Sequence, residues 1–147
     1  IILGIYFGFK ELLSNNQIDK MPRIIVVQAK NCNPIYRAFV KDTSNNPFTK
    51  TLAEGIATAK PNRMDIILKA ITETGGTVVR VSEQEIEDAV KTLAQNGFYA
   101  EPNSATAFAG ITQLFEEEYF NKADDIVLII TGHGLKASIT INKLFSD

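Results

Sequence analysis

Apolar positions along this chain change period several times, and each change predicts an element. Ile2, Ile5, Tyr6, Phe9, Leu12 and Leu13 recur at helical spacing. That predicts an amphipathic helix ending near Ser14, Asn15 and Asn16 with its stripe packed on a sheet. Gly4 and Gly8 lie inside it at about 1 kcal/mol each relative to alanine, so close backbone contact is expected there. Residues 24–28, IIVVQ, are continuous and mostly β-branched, which predicts a buried strand. A turn follows at Asn31, Cys32, Asn33 and Pro34, then a short helix over 35–40. Residues 42–51, DTSNNPFTKT, read as a loop, either a surface excursion or a mobile lid.

The second half repeats the alternation. Residues 52–59, LAEGIATA, hold a single acid, Glu54, beside Gly55, and the apolar setting predicts that it is buried. Asn62 is the expected cap of a helix whose Met64, Ile67, Leu68 and Ile71 face inward and which stops at Gly75. TVVRV at 77–81 predicts another strand. Ser82 and Glu85 have the spacing of a capping box, with Ile86, Ala89, Val90, Leu93 and Ala94 inward behind it and Gly97 as the stop. Residues 98–101 suggest a short strand broken at Pro102. Asn103 or Ser104 then caps a helix with Phe108, Ile111, Leu114 and Phe115 inward, and Glu116 to Glu118 form a solvated face. Asp124 and Asp125 lead into five apolar residues, 126–130, expected as a strand buried on both faces. It stops at Thr131, Gly132, His133 and Gly134.

Three strands alternating with helices predict an α/β fold, a parallel sheet flanked by helices, with residues 1–147 as one segment. In such sheets ligands sit beyond the carboxyl ends of the strands. The Thr-Gly-His-Gly turn is therefore the candidate site, with Thr131 facing a cofactor.

Composition narrows the classes. The chain has 147 residues, 15 basic and 17 acidic, for a formal net charge of -2. No basic block offers a footprint for nucleic acid. One cysteine, Cys32, and one histidine make a zinc site unexpected and leave a reducing cytoplasm as the default setting. The opening apolar run is interrupted by Lys10 and Glu11, short of the roughly 18 residues of a membrane span, and has no basic leader pattern. It opens on Ile1 rather than Met, so a piece of a longer protein is expected. TGHG lacks the spacing of a dinucleotide fingerprint or a P-loop. His133 is either a general acid or base or a ring satisfied by backbone. Glu101 and Glu54 are either site carboxylates or turn caps.

Taken together, six runs resemble the threonine synthases among the fold-type II pyridoxal-phosphate enzymes. They are LGIYFGFKEL (3–12), PRIIVVQAKNCNPIYRAF (22–39), TLAEGIATAKPNR (51–63), ITETGGTVVRVSEQEI (71–86), EPNSATAFAGI (101–111) and TGHGLK (131–136). The order matches the family's. The threonine and serine dehydratases look similar around Ala-Glu-Gly-Ile and Glu-Pro, and TGHGLK favours threonine synthase. The resemblance implies part of the large domain of such an enzyme, with pyridoxal 5'-phosphate as cofactor and O-phosphohomoserine as small-molecule substrate. It implies that the Thr131 hydroxyl hydrogen-bonds the pyridine nitrogen and that Gly132 and Gly134 let the turn pass beside the ring. It also implies that Glu101 and His133 neighbour the cofactor, that Glu54 lines the substrate cleft, and that the protein is a homodimer. The family's Schiff-base lysine and glycine-rich phosphate loop are expected upstream of Ile1, so this chain alone is expected to be inactive. The phosphate would rest on the N-terminus of the first helix. The dehydratase reading, and a non-catalytic module of the same fold, remain the alternatives. Residues 137–147 depart from the Asp-Pro continuation of the family.

Overall fold

Two five-residue strands, β1 (Ile25–Ala29) and β2 (Thr77–Val81), run parallel, with Ile25 opposite Thr77 and Ala29 opposite Val81. The computed structural model that shows this describes residues 1–145. Each strand is β-branched and apolar enough to be covered on both faces, and the period of two sorts its side chains. Val26 and Val78 point into one apolar cluster with Ile24, Tyr6 of α1 (Ile2–Ser14), Ile35 of α2 (Pro34–Phe39), and Ile67, Ala70 and Ile71 of α3 (Met64–Glu73). Ala29 and Val81 point into the other, with Ile86, Ala89, Val90 and Leu93 of α4 (Glu83–Gln95) and Ala105 and Ala109 of α5 (Pro102–Glu116). The expected α/β layering with helices on both faces is therefore present. Ile141 of α6 (Ser138–Leu144) closes the second cluster, so the stretch after Lys136 packs on the same core. Ser146 and Asp147, which end that stretch, lie outside the described residues.

Capping explains the sharpest boundary. Ser82 Oγ accepts the Glu85 amide at 3.3 Å while Glu85 Oε2 accepts the Ser82 amide at 2.6 Å, a reciprocal box that starts α4. Gly75 (φ 64°) follows α3 and Gly97 (φ 85°) follows α4, in the left-handed region where glycine is favoured.

Several expectations fail for identifiable reasons. The 126–130 run forms no strand. β1 and β2 are the only strands paired in a sheet among the described residues, and Val127 is 86 % exposed, with Ile129 and Ile130 also open. Apolar continuity marks residues fit to be buried in a sheet, but supplies no neighbour to pair with. Residues 98–101 likewise contribute only a single bridge, Ala100 to His133. Asn62 does not cap α3; the cap position falls to Arg63 at φ 65°, without a side-chain bond. Neither Asn103 nor Ser104 caps α5, because Pro102 already stands in its first turn and Glu101 is the cap residue. Gly4 and Gly8 are exposed with no atom near a hypothetical Cβ, so no close contact accounts for them. The α1 stripe reaches the sheet only through its cluster, and Tyr6 is its one buried residue.

The inner face of α5 is also different from expectation. Leu114 is buried, but Phe115 is 57 % exposed and Ile111 and Phe108 are half-buried. The face that meets the sheet is small: Ala105, Ala109 and Gly110. A Cβ on Gly110 would collide with both methyl groups of Val27, so the helix backbone rides directly on the β1 side chain.

Gly110→Ala should therefore destabilise the protein by about 1 to 2 kcal/mol in urea denaturation, despite a helix-propensity gain of about 1 kcal/mol, because Val27 is stiff and branched. Adding Val27→Ala should shrink that penalty; an unchanged penalty would remove the steric account. A second expectation concerns acid. Burial, the largest single influence, raises the Glu85 carboxyl, but the Ser82 hydroxyl and amide with Lys30 outweigh it, and the net shift is downward. A depressed carboxylate stabilises the fold above its unfolded value, about 4.3, and that contribution is lost as pH falls through the lower folded value. Glu85→Gln should flatten the stability profile in that window and leave its slope above about pH 6 unchanged.

Candidate functional site

The Thr-Gly-His-Gly turn is held from two sides. On one, the chain leaving α4 pairs with it antiparallel: Gly134 N donates to Tyr99 O at 2.8 Å and Glu101 N to Gly132 O at 3.1 Å, on either side of the Ala100–His133 bridge. On the other, the Ser104 hydroxyl in the first turn of α5 accepts the amides of Thr131 at 3.0 Å and Gly132 at 2.9 Å. Ser104 is buried and its own amide donates to Glu101 O at 2.9 Å. The outcome is a fixed backbone from which the Thr131 side chain stands exposed.

Both glycines are matters of space. A Cβ on Gly132 would collide with the Glu101 carboxylate, and one on Gly134 would fall 2.8 Å from the Tyr99 ring. Glu101 therefore lies across Gly132, with no hydrogen bond or ion pair to its carboxylate among the described residues. His133 is exposed and its Nδ1 accepts the Leu135 amide at 3.2 Å, capping the 3₁₀ turn Gly134–Ala137, with its ring edge-on to Tyr99. Of its two ring nitrogens, Nδ1 is thus engaged by backbone.

Thr131, Gly132, His133, Gly134 and Glu101 are thus brought together. Glu54 is less closely joined. It begins the 3₁₀ turn Glu54–Ile56, which is tied to α5 where the Gly55 amide donates to Asn103 Oδ1 at 3.0 Å, and it is exposed rather than buried as its setting suggested. A buried flank exists there, but it is Thr51 and Ala53 that fill it. Ser104 and Asn103 were foreseen only as caps. The signal that could have separated them is Pro102: proline at the start of the helix frees the next polar side chains to reach other segments.

A hollow of about 450 Å³ runs along α1 past Gly4, Gly8, Phe9 and Leu12, and one of about 350 Å³ lies over β2 beside Tyr36 and Arg80. Neither touches this cluster, and the first offers one ionisable side chain, Glu11. The hydrogen-bonded turn, which exposes a hydroxyl on a fixed backbone, is the better candidate for chemistry.

A family profile described as pyridoxal-phosphate dependent enzyme matches residues 1–132. The chain belongs to that family of pyridoxal-phosphate dependent enzymes. It is 38 % identical over 141 residues to the threonine synthase of Methanocaldococcus jannaschii and 34 % over 146 residues to that of Methanosarcina acetivorans. These alignments cover 92 % and 95 % of this chain but 34 % and 36 % of the relatives, so it spans about a third of their length. Threonine synthase 2, chloroplastic, of Arabidopsis thaliana is 27 % identical over 92 % of the chain and 27 % of its own length. Among the described residues no helix is long and apolar enough to cross a membrane.

The residues present fit the family's cofactor: Thr131, an exposed residue, offers a neutral hydroxyl suited to a ring nitrogen, and the backbone behind it is anchored rather than free. Lys136 is exposed in the 3₁₀ turn and is not part of the cluster.

The steric reading of Gly132 can be checked without any ligand. Gly132→Ala should cost about 1 kcal/mol in chemical denaturation, a modest amount because the colliding atoms are the far end of a flexible glutamate. In a Glu101→Ala background the cost should largely vanish. Equal costs in both backgrounds would mean that Glu101 is not what excludes a side chain there.

Proposed function

We propose that the protein carrying this chain is a threonine synthase, which converts O-phospho-L-homoserine and water to L-threonine and phosphate with pyridoxal 5'-phosphate as cofactor. The observation that carries the reading is the anchored Thr131–Gly132 backbone with the Thr131 hydroxyl exposed at its end. The identities to two threonine synthases and the order of the matching runs support it. The cofactor, when bound, supplies delocalisation for negative charge that develops on substrate carbon.

This chain's residues hold and orient. The Thr131 hydroxyl would hold the pyridine nitrogen and, being neutral, would not need to keep it protonated as a carboxylate partner would. Gly132 and Gly134 would leave room for the ring beside the turn, with Glu101 and His133 as neighbours. Glu54, on a turn tied to the start of α5, lines the substrate side. The first turn of α1 carries no acidic side chain, which suits it to the cofactor phosphate. The lysine that binds the cofactor covalently is contributed from outside these residues, and this chain alone is inactive. The working form is a cytoplasmic homodimer.

Two measurements test this. The intact protein should release inorganic phosphate from O-phosphohomoserine in step with threonine formation; deamination of threonine without phosphate release would reassign it to the dehydratases. Thr131→Ala should weaken cofactor binding or turnover by the value of one hydrogen bond, about 0.5 to 1.5 kcal/mol. Unchanged affinity and kinetics would take Thr131 out of the site.

A further inference from the structure

The Ser104 hydroxyl has more neighbours than it has bonding capacity. Its oxygen lies 3.0 Å from the Thr131 amide, 2.9 Å from the Gly132 amide, 3.2 Å from Thr131 Oγ1 and 3.4 Å from the Gly132 carbonyl oxygen. A hydroxyl has one proton and two lone pairs. Both amides can only donate, so they take both lone pairs, and the single proton must go to Thr131 Oγ1 or to the Gly132 carbonyl. The carbonyl is farther, and one of its two lone pairs accepts the Glu101 amide at 3.1 Å. The proton therefore goes to Thr131 Oγ1. With one lone pair of Thr131 occupied from behind, its own proton is directed away from Ser104, to the exposed side.

We propose that Ser104 is a positioning residue that fixes the Thr131 hydroxyl as a hydrogen-bond donor, so that the pyridine nitrogen is received as an unprotonated acceptor. This rests on the reading of Thr131 given above. It assigns Ser104 two linked tasks: its lone pairs hold the turn backbone, and its proton sets the direction of the hydroxyl. Counting reserves both lone pairs of Ser104 for the amides, and distance then selects the acceptor of its proton: Thr131 Oγ1 at 3.2 Å rather than the Gly132 carbonyl at 3.4 Å.

The test uses the intact protein with Ser104→Ala, Thr131→Val and the double variant. Two readouts are needed: hydrogen exchange at the Thr131 and Gly132 amides without cofactor, and affinity for pyridoxal 5'-phosphate by spectroscopic titration. Ser104→Ala should speed exchange at both amides and weaken cofactor affinity about three- to tenfold. In the Thr131→Val background it should still speed exchange but no longer weaken affinity further. Ser104→Cys keeps a weaker donor and acceptor at similar volume. It should fall between native and alanine on both readouts, and it carries the test if the alanine variant does not fold. An equal loss of affinity in the native and Thr131→Val backgrounds would overturn the proposal, since Ser104 would then act only through the backbone. If Thr131→Val weakens binding and Ser104→Ala or Ser104→Cys does not, the proposal fails while the reading of Thr131 stands. If Thr131→Val leaves affinity unchanged, both fail.

Discussion

The close approach of α5 to β1 is the constraint from which the site follows. Gly110 sits on Val27 with no room for a side chain between them, and the small face of Ala105 and Ala109 continues that contact. A helix seated this closely on the sheet has little freedom to shift, because interiors are close-packed and a sub-ångström displacement opens voids or clashes. Its first turn, with Asn103 and Ser104, is thereby set at one place relative to the carboxyl ends of the strands. From there Asn103 reaches the turn that carries Glu54, and Ser104 reaches the turn that carries Thr131.

What the sequence made legible follows from how local each signal is. The Ser82–Glu85 box depends on four consecutive residues, and both of its bonds form. β2 appears at its expected bounds and β1 one residue later than expected, since a continuous β-branched run leaves few alternatives. Glycine stops after α3 and α4 were readable because positive φ is a property of the residue itself. The inner face of α5 was not readable in this way. A hydrophobic periodicity favours Phe108 and Phe115, whereas a helix that must lie directly on a strand buries its smallest residues and leaves large ones at the margin.

The site was legible in part for the same reason. Thr131 and its flanking glycines announce themselves as the end of an apolar run. The roles of Ser104 and Asn103 do not, because their partners are 27 and 48 residues away in the chain, and a polar residue in the first turn of a helix looks like a cap. Glu54 fails in the opposite sense: apolar neighbours in sequence suggested burial, but a 3₁₀ turn points successive side chains in different directions and leaves the acid in solvent.

The missing strand at 126–130 bears on how the turn is positioned. Its approach is anchored at one end, where Arg23 Nη2 meets Asp124 Oδ2 at 2.5 Å beside the start of β1, with the Asn121 amide also on that carboxylate. At the other end it is anchored by Ser104 and by the pairing with Tyr99 and Glu101. Between them no ladder of backbone bonds fixes the height of the chain, and the ion pair at Asp124 is partly exposed and therefore weak. The position of Thr131 consequently depends on its own immediate hydrogen bonds far more than on the strand-like run that precedes it. A buried hydroxyl that satisfies two adjacent amides is well suited to that task, because leaving the buried Gly132 amide unpaired costs about 1 to 3 kcal/mol, more than the small torsional gain of letting the turn drift.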